Sequence, residues 1–372
     1  MRIPLAKPEI LESDIDAVVG VLRTSQLALG PKLVEFEEAL AAYVGSSFAV
    51  AVNSGTSALH LAVRCLDLHE GDEVIVPSFA FAAVANVLLQ ERLTPVFVDI
   101  DPRTLNATPA AIEEAIGPRT RAVLVVHTFG HPAEIDAIRE ITSAHNLMLI
   151  EDACEALGAE VRGAKVGTFG DAGLFAFYPN KQITTGEGGV LVTSNPGIAR
   201  RAKVLRSQGK DDTLDWAGQH AEAGYSYRIA DINCALGVAQ LSRIEGILKQ
   251  REKLAASYAT RLRGCETVLT PPLECAYGSI SWFAYAIQLA PQFGRKDRDR
   301  VWQGLLYLGI GAGRYFAPLH VQPVLHGRYR QSSSLAVTES VAGRVLALPF
   351  FVGITDAEVD EVCAELRGLL CA

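Results

Sequence analysis

The sequence has no stretch able to span a bilayer. Its longest apolar run, Val74 to Leu89, is broken by Pro77, Ser78 and Asn86, whereas a spanning helix needs about 20 consecutive, mostly apolar residues. It also lacks a basic surplus. Lys and Arg number 34 against 42 Asp and Glu, a formal net charge of −8. The densest basic stretch, Arg295-Lys296-Asp297-Arg298, alternates with acid and reads as a solvated helix start. Coating of nucleic acid needs clustered Lys and Arg against phosphate, so that class is excluded. Met1-Arg2-Ile3-Pro4-Leu5 carries no apolar run of the kind a secretory signal needs, and the expected compartment is the cytoplasm. Cysteine is sparse and unpatterned. The seven (Cys65, Cys154, Cys234, Cys265, Cys275, Cys363 and Cys371) form no C-x-x-C. Neither a disulfide framework nor a zinc site is indicated, and no metal is expected. They read as small, mostly buried apolar residues.

What is present is ordinary globular material. Of 372 residues, 49% are apolar and 20% charged, which suits a large core and excludes a disordered chain. That length implies roughly two to three domains, or one large and one small. Two helical periods open the chain, Ile15-Val18-Leu22 and Leu33-Phe36-Leu40-Tyr43, separated by Gly30-Pro31. From residue 48 short apolar runs then alternate with helical patterns. Strands are predicted at 48–53, 73–76, 95–99, 122–126 and 147–150, and helices at 57–68, 80–90, 109–116 and 133–145. This is the signature of an α/β domain whose mostly parallel sheet has helices on both faces. A further strand is predicted at 190–193, a loop at 209–224 and a connecting helix at 243–262. Phe283, Tyr285, Ile287 and Leu289 alternate as a half-buried strand. Val301, Leu305 and Leu308 fit a helix, and Thr355 with Glu358 forms a capping box before Val359, Val362, Leu366 and Leu369. The expected division is a large α/β domain over 1–245, with 1–30 as an N-terminal arm, and a smaller α+β domain over 246–372.

In such sheets the chemistry sits beyond the carboxyl ends of the strands. Three motifs fall there. Asn53-Ser54-Gly55-Thr56-Ser57 joins a strand to a helix start, where free N–H groups and the helix dipole can cradle a phosphate; a simple N-cap is the alternative. Glu151-Asp152-Ala153-Cys154-Glu155 ends a buried strand with carboxylates that can hold a cation or a protonated ring nitrogen, or cap a following helix. Lys181 lies between the aromatic run Phe175, Phe177, Tyr178 and the tight turn Gly186-Glu187-Gly188-Gly189. A partly desolvated lysine loses proton affinity and becomes an amine nucleophile or base. Phosphate cradle, carboxylate and Schiff-base lysine are together the minimal set for pyridoxal 5'-phosphate. Phe79 or Phe81 could supply an aromatic over its ring.

These motifs, with Gly71-Asp72-Glu73, Pro95–Asp99, Val126-His127, Gly130, Tyr227-Arg228 and Pro318-Leu319-His320, resemble the DegT/DnrJ/StrS-type sugar aminotransferases of the fold-type I pyridoxal phosphate enzymes. The resemblance runs over nearly the whole chain and is densest from Asn180-Lys181 to Gly189. It implies that Lys181 holds the cofactor and shuttles a proton, and that Asp152 pairs with the pyridine nitrogen. Glu155, often Gln in the family, approaches the ring oxygen. Gly55, Thr56 and Ser57 hold the phosphate, and Phe81 stacks on the ring. It further implies a homodimer in which the segment Gly224–Arg228 of one subunit completes the partner's site through Ser226. Glutamate is the implied donor and a nucleotide-linked keto-deoxysugar the acceptor, in amino-sugar biosynthesis. Tyr178, Glu187, Arg228 and His320 are candidates for the acceptor pocket.

Two positions depart from the family pattern. Ala176 stands where a phosphate-binding Ser is frequent, and Ser226 where Asn is frequent. Both remove phosphate contacts and imply weaker cofactor retention or a shifted phosphate. They also give the only support to a different class of protein, one that binds the cofactor and regulates without turnover. A third reading keeps the cofactor but dehydrates or cleaves the sugar. Relatives that dehydrate carry His in place of the lysine, so Lys181 favours amino transfer.

Overall fold

The computed structural model describes residues 1–211, 213–214 and 218–371. In chain order the strands are β1 (Phe48–Val52), β2 (Glu73–Pro77), β3 (Thr94–Val98), β4 (Thr120–Val126), β5 (Met148–Asp152), β6 (Glu160–Val161), β7 (Ala164–Lys165), β8 (Ala172–Ala176), β9 (Gly189–Thr193), β10 (Val268–Leu269), β11 (Gly278–Ser279), β12 (Tyr285–Leu289), β13 (Arg330–Gln331) and β14 (Val345–Leu348). Eight form one sheet in the order β1-β9-β8-β5-β4-β2-β3-β13. Only β9 runs against the others, antiparallel to both β8 and β1. The predicted α/β architecture is therefore present.

This topology decides where the polar motifs go. Seven strands point the same way, so Asn53–Ser57, Ser78, Asp99, His127, Asp152 and Phe177 all leave the sheet at one edge. The reversed β9 starts at that edge and brings Thr184–Gly188 to it. The strand cores are uniformly apolar because helices cover both faces. Val50, Val52, Val74, Val76, Leu124, Ile150 and Leu191 are fully buried on one face, and Ala51, Ile75, Val96, Val123, Val125 and Val190 on the other. Each valine, leucine and isoleucine among them contributes about 1.5–3 kcal/mol by leaving water.

Helix boundaries follow caps and left-handed residues more than periodicity. The helix predicted at 57–68 spans Gly55–Cys65: Ser54 Oγ accepts the Ser57 N–H at 3.1 Å, and Asp67 at φ 51° turns the chain out. The helix predicted at 80–90 begins at Ala83 and that at 133–145 spans Ile135–Ala144. The connector is a helix over Ile244–Leu262. The capping box forms as read, with Thr355 Oγ1 accepting the Glu358 N–H and Glu358 Oε2 accepting the Thr355 N–H ahead of the helix Asp356–Cys371.

The 209–224 loop holds no helix or strand among its described residues, and 212 and 215–217 lie outside them. The strand read from Phe283 starts instead at Tyr285. Arg298 is not solvated either. It is buried at the start of the helix Arg295–Tyr307, donating to the carbonyls of Ala342 and Val345. Three cysteines are buried, three half-buried, and Cys371 is exposed.

A second sheet, β10-β12-β14, packs with the helices Ile244–Leu262, Arg295–Tyr307 and Asp356–Cys371 around Tyr258, Tyr285 and Phe350. Ile3 is buried in this cluster, while Leu319, Leu325 and Leu335 pack on the large sheet beside β13. Among the described residues, no helix is long and apolar enough to cross a membrane.

Candidate active site

Alternation along β5 sends its two terminal carboxylates to opposite sides. Glu151 is fully buried and accepts the N–H groups of Gly167, Phe169 and Gly170 at 2.8, 2.6 and 2.8 Å. It also takes the Nε2 proton of His127 at 3.1 Å, because Nδ1 of that ring is already accepting the Ala133 N–H. Glu151 is thus consumed in holding the loop. Asp152 is the carboxylate left at the sheet edge. Its Oδ1 accepts the Cys154 N–H at 3.0 Å, and the chain continues into turns rather than the helix that a cap would have required.

Lys181 follows β8 in the turn before β9. Its backbone N–H donates to the Tyr178 carbonyl. The side chain is only 12% exposed, with Nζ 3.7 Å from Glu155 Oε1 and 4.1 Å from the centroid of the Phe283 ring. Glu155 Oε2 accepts the Phe129 N–H at 2.9 Å. Burial pushes the Glu155 carboxyl above the usual range; the Lys181 ammonium and that N–H pull the other way. Lys181 and Glu155 therefore form a nearly dry pair. Phe283 carries no local signal of this role. It is placed by Arg251, buried on the connecting helix, which donates to the carbonyls of Trp282 and Phe283 at 2.6 and 2.8 Å.

The phosphate cradle lies on the same edge. Ser57 Oγ donates to Asn53 Oδ1 at 2.7 Å, which closes the turn at the start of the helix Gly55–Cys65, where the first N–H groups have no intrahelical partner. A side chain on Gly55 would place its Cβ 2.7 Å from the Ala176 Cβ and 3.4 Å from Cys154 Sγ. Gly55 thus faces both Ala176 and Cys154, and the helix start lies beside the Asp152–Glu155 turn. Burial, with the Asp152 carboxylate beside it, pushes the Cys154 thiol well above its ordinary range, so it stays neutral.

Of the two aromatic candidates, Phe79 is fully buried against Phe129 and Phe316, whereas Phe81 is 62% exposed at the edge. Only Phe81 has a free face. Tyr178 and Glu187 are exposed. Arg228 Nη2 donates to Ser226 Oγ at 2.9 Å within its own chain. His320 is engaged at both nitrogens, with Nδ1 2.7 Å from Ser78 Oγ and Nε2 3.1 Å from Glu339 Oε1. Ser78 is legible as a polar residue at a strand end, but Glu339 is not, and their pairing with His320 spans 242 and 19 residues. A lysine amine, a carboxylate, a helix N-terminus and a free aromatic face thus share one edge. This arrangement can hold a phosphorylated, planar, electrophilic group and move protons beside it.

Comparison with known proteins agrees with this chemistry. Residues 8–367 match the model of the DegT/DnrJ/EryC1/StrS aminotransferase family. GDP-perosamine synthase of Caulobacter vibrioides is 38% identical over 370 residues, covering 99% of this chain and 98% of that protein. The spore coat polysaccharide biosynthesis protein SpsC of Bacillus subtilis is 32% identical, covering 99% of this chain and 97% of SpsC. Among solved structures, the aminotransferase TlmJ of Streptoalloteichus hindustanus superposes with a TM-score of 0.93 at 31% identity, with 99% of each chain covered. The chain belongs to the DegT/DnrJ/EryC1/StrS aminotransferase family.

Proposed function

We propose that this enzyme uses pyridoxal 5'-phosphate to transfer the amino group of glutamate to the keto group of a nucleotide-linked deoxysugar. The carrying observation is the buried Lys181, 3.7 Å from Glu155, on the edge shared with Asp152 and the helix start at Gly55. The residues fit the cofactor. Position 55 has no Cβ, which lets the helix start lie directly against Ala176 at the end of β8. The donor set pairs the helix's first N–H groups with phosphate, a carboxylate with a ring nitrogen, and an amine with an aldehyde.

When bound, the cofactor supplies an electrophilic carbonyl carbon and a ring that delocalises an electron pair. Gly55, Thr56 and Ser57 hold its phosphate and Phe81 covers its ring. Asp152 keeps a proton on the ring nitrogen. Lys181 Nζ would hold the cofactor and would serve as the general base that takes the proton from the donor α-carbon. Glu155, 3.7 Å from that amine, would approach the ring oxygen. Tyr178, Glu187 and Arg228 face the acceptor, and His320 orients Glu339 toward it. The active unit is a cytoplasmic homodimer in which Ser226 reaches the partner's phosphate. The departures at Ala176 and Ser226 weaken cofactor retention without removing Lys181 or Asp152.

The test is direct. Purified protein should be yellow, and Lys181→Ala should lose both the visible absorbance and amino transfer. A Lys181→Ala protein that still transfers amino groups would refute the assignment. A panel of nucleotide-linked keto sugars with glutamate, read by mass spectrometry, identifies the acceptor. Dehydrated rather than aminated product would reverse the reaction class.

A further inference from the structure

The ring of Phe283 lies under the amine of Lys181, with Nζ 4.1 Å from its centroid. Glu155 Oε1 lies 3.7 Å from the same nitrogen. The face of an aromatic ring carries partial negative charge and attracts a cation, most strongly where water is excluded. Lys181 is 12% exposed and Phe283 5%, so little water screens the contact.

Several elements fix that ring. Arg251, buried on the connecting helix, donates to the carbonyls on either side of the Phe283 nitrogen and α-carbon, those of Trp282 and Phe283. The Phe283 N–H donates to the Phe129 carbonyl at 3.2 Å, and the Phe129 N–H in turn holds Glu155. Gln182, the residue after Lys181, donates to Ser281 O and Ser281 Oγ, each at 3.1 Å. The segment 281–283 before β12 is therefore tied to the lysine turn and to the residue that holds Glu155. A buried guanidinium is costly to desolvate, and this one is bonded to two carbonyls that set the ring.

We infer that Phe283 is a catalytic residue, whose ring face stabilises the positive charge that develops on Lys181 Nζ during proton transfer, and that Arg251 is the positioning residue behind it. When Nζ takes the donor's α-proton, the C–H bond breaks and leaves its electron pair on the carbon side. An N–H bond forms on the amine lone pair, and Nζ passes from neutral to cationic. A ring face attracts an ammonium far more than a neutral amine. The contact thus strengthens along that step alone, which is the condition for lowering its barrier. The inference rests on the cofactor-holding role proposed above for Lys181.

The test mixes holoenzyme with glutamate, and with glutamate deuterated at the α-carbon, and follows the change in visible absorbance without any sugar. Phe283→Leu keeps an apolar side chain without an aromatic face. It should lower the maximal rate about tenfold and leave the half-saturating glutamate concentration unchanged. The slowed rate should carry a primary deuterium isotope effect. Replacing Phe283 by pentafluorophenylalanine nearly keeps the shape but reverses the charge of the ring face, and should slow the step at least as much. In cofactor-free protein, the Lys181 ε-methylene NMR signal, assigned by its loss in Lys181→Ala, should lie upfield in the ring current of Phe283 and move back in Phe283→Leu. The role is overturned if the fluorinated protein reacts as fast as wild type, if the slowing shows no isotope effect, or if the methylene signal does not depend on Phe283. Any of these, with wild type reacting normally, leaves the aminotransferase reading standing. If wild-type holoenzyme does not react with glutamate, that reading falls and the role of Phe283 with it.

Discussion

Glu155 shows what a single residue's setting adds to its identity. By its local pattern it is a carboxylate three residues after Asp152, and the family resemblance sets it near the cofactor's ring oxygen. The fold buries it against Lys181 and raises its proton affinity. In the unfolded chain it titrates near the ordinary 4.5, and in the folded chain higher. Between those values the folded protein keeps a proton that the unfolded chain has released. Stability from this group is therefore present below pH 4.5 and is lost as pH rises through the folded value. Gln at this position cannot titrate. Cofactor-free Glu155→Gln should gain stability over wild type as pH rises above about 4.5, the gain levelling off above the raised folded value and closing at lower pH, in urea denaturation. A difference independent of pH would mean that the carboxyl does not titrate differently on folding. Asp152, Lys181 and Gly55 were legible because strand ends and glycine turns are local patterns. Phe283 and Glu339 were not, since their meaning lies in contacts made across the chain.

At the scale of elements, β8 was read only as an apolar run before Lys181, although it is the strand that carries the lysine to the edge. Its last residue, Ala176, packs on the helix start at Gly55. A hydroxyl there would sit at the cradle. Ala176→Ser should therefore retain cofactor better, by several-fold in dissociation constant, the worth of about one phosphate hydrogen bond. Cofactor release on dialysis, followed by absorbance, measures this. Unchanged or faster release would show that the phosphate lies elsewhere. The predicted strands at 48–53, 73–76, 95–99, 122–126, 147–150 and 190–193 all enter the sheet. Their hydrophobic runs were continuous because both faces are covered, so the pattern was strong. β13 has two residues and no run of its own. Its pairing with β3 depends on where the preceding segment packs.

The whole molecule leaves apolar side chains in water at its N-terminal end. Ile10, Leu11, Ile15, Leu22, Leu27, Leu29 and Val34 are all exposed, a grouping that favours burial against another protein surface. With the proposed reach of Ser226, a second copy is the fitting cover. Sedimentation should give twice 39.9 kDa. Mixed Lys181→Ala and Arg228→Ala subunits should regain activity that neither shows alone; a fully active monomer would refute the shared site. The sequence by itself determined the α/β architecture and that Lys181 and the polar motifs lie at the strand ends, because strand periodicity, glycine turns and helix caps act over a few residues. Only the tertiary structure decided which of two adjacent carboxylates is free, which of two phenylalanines has an open face, and that Phe283 meets Lys181. Those outcomes depend on burial and on partners up to hundreds of residues away, and no local pattern encodes them.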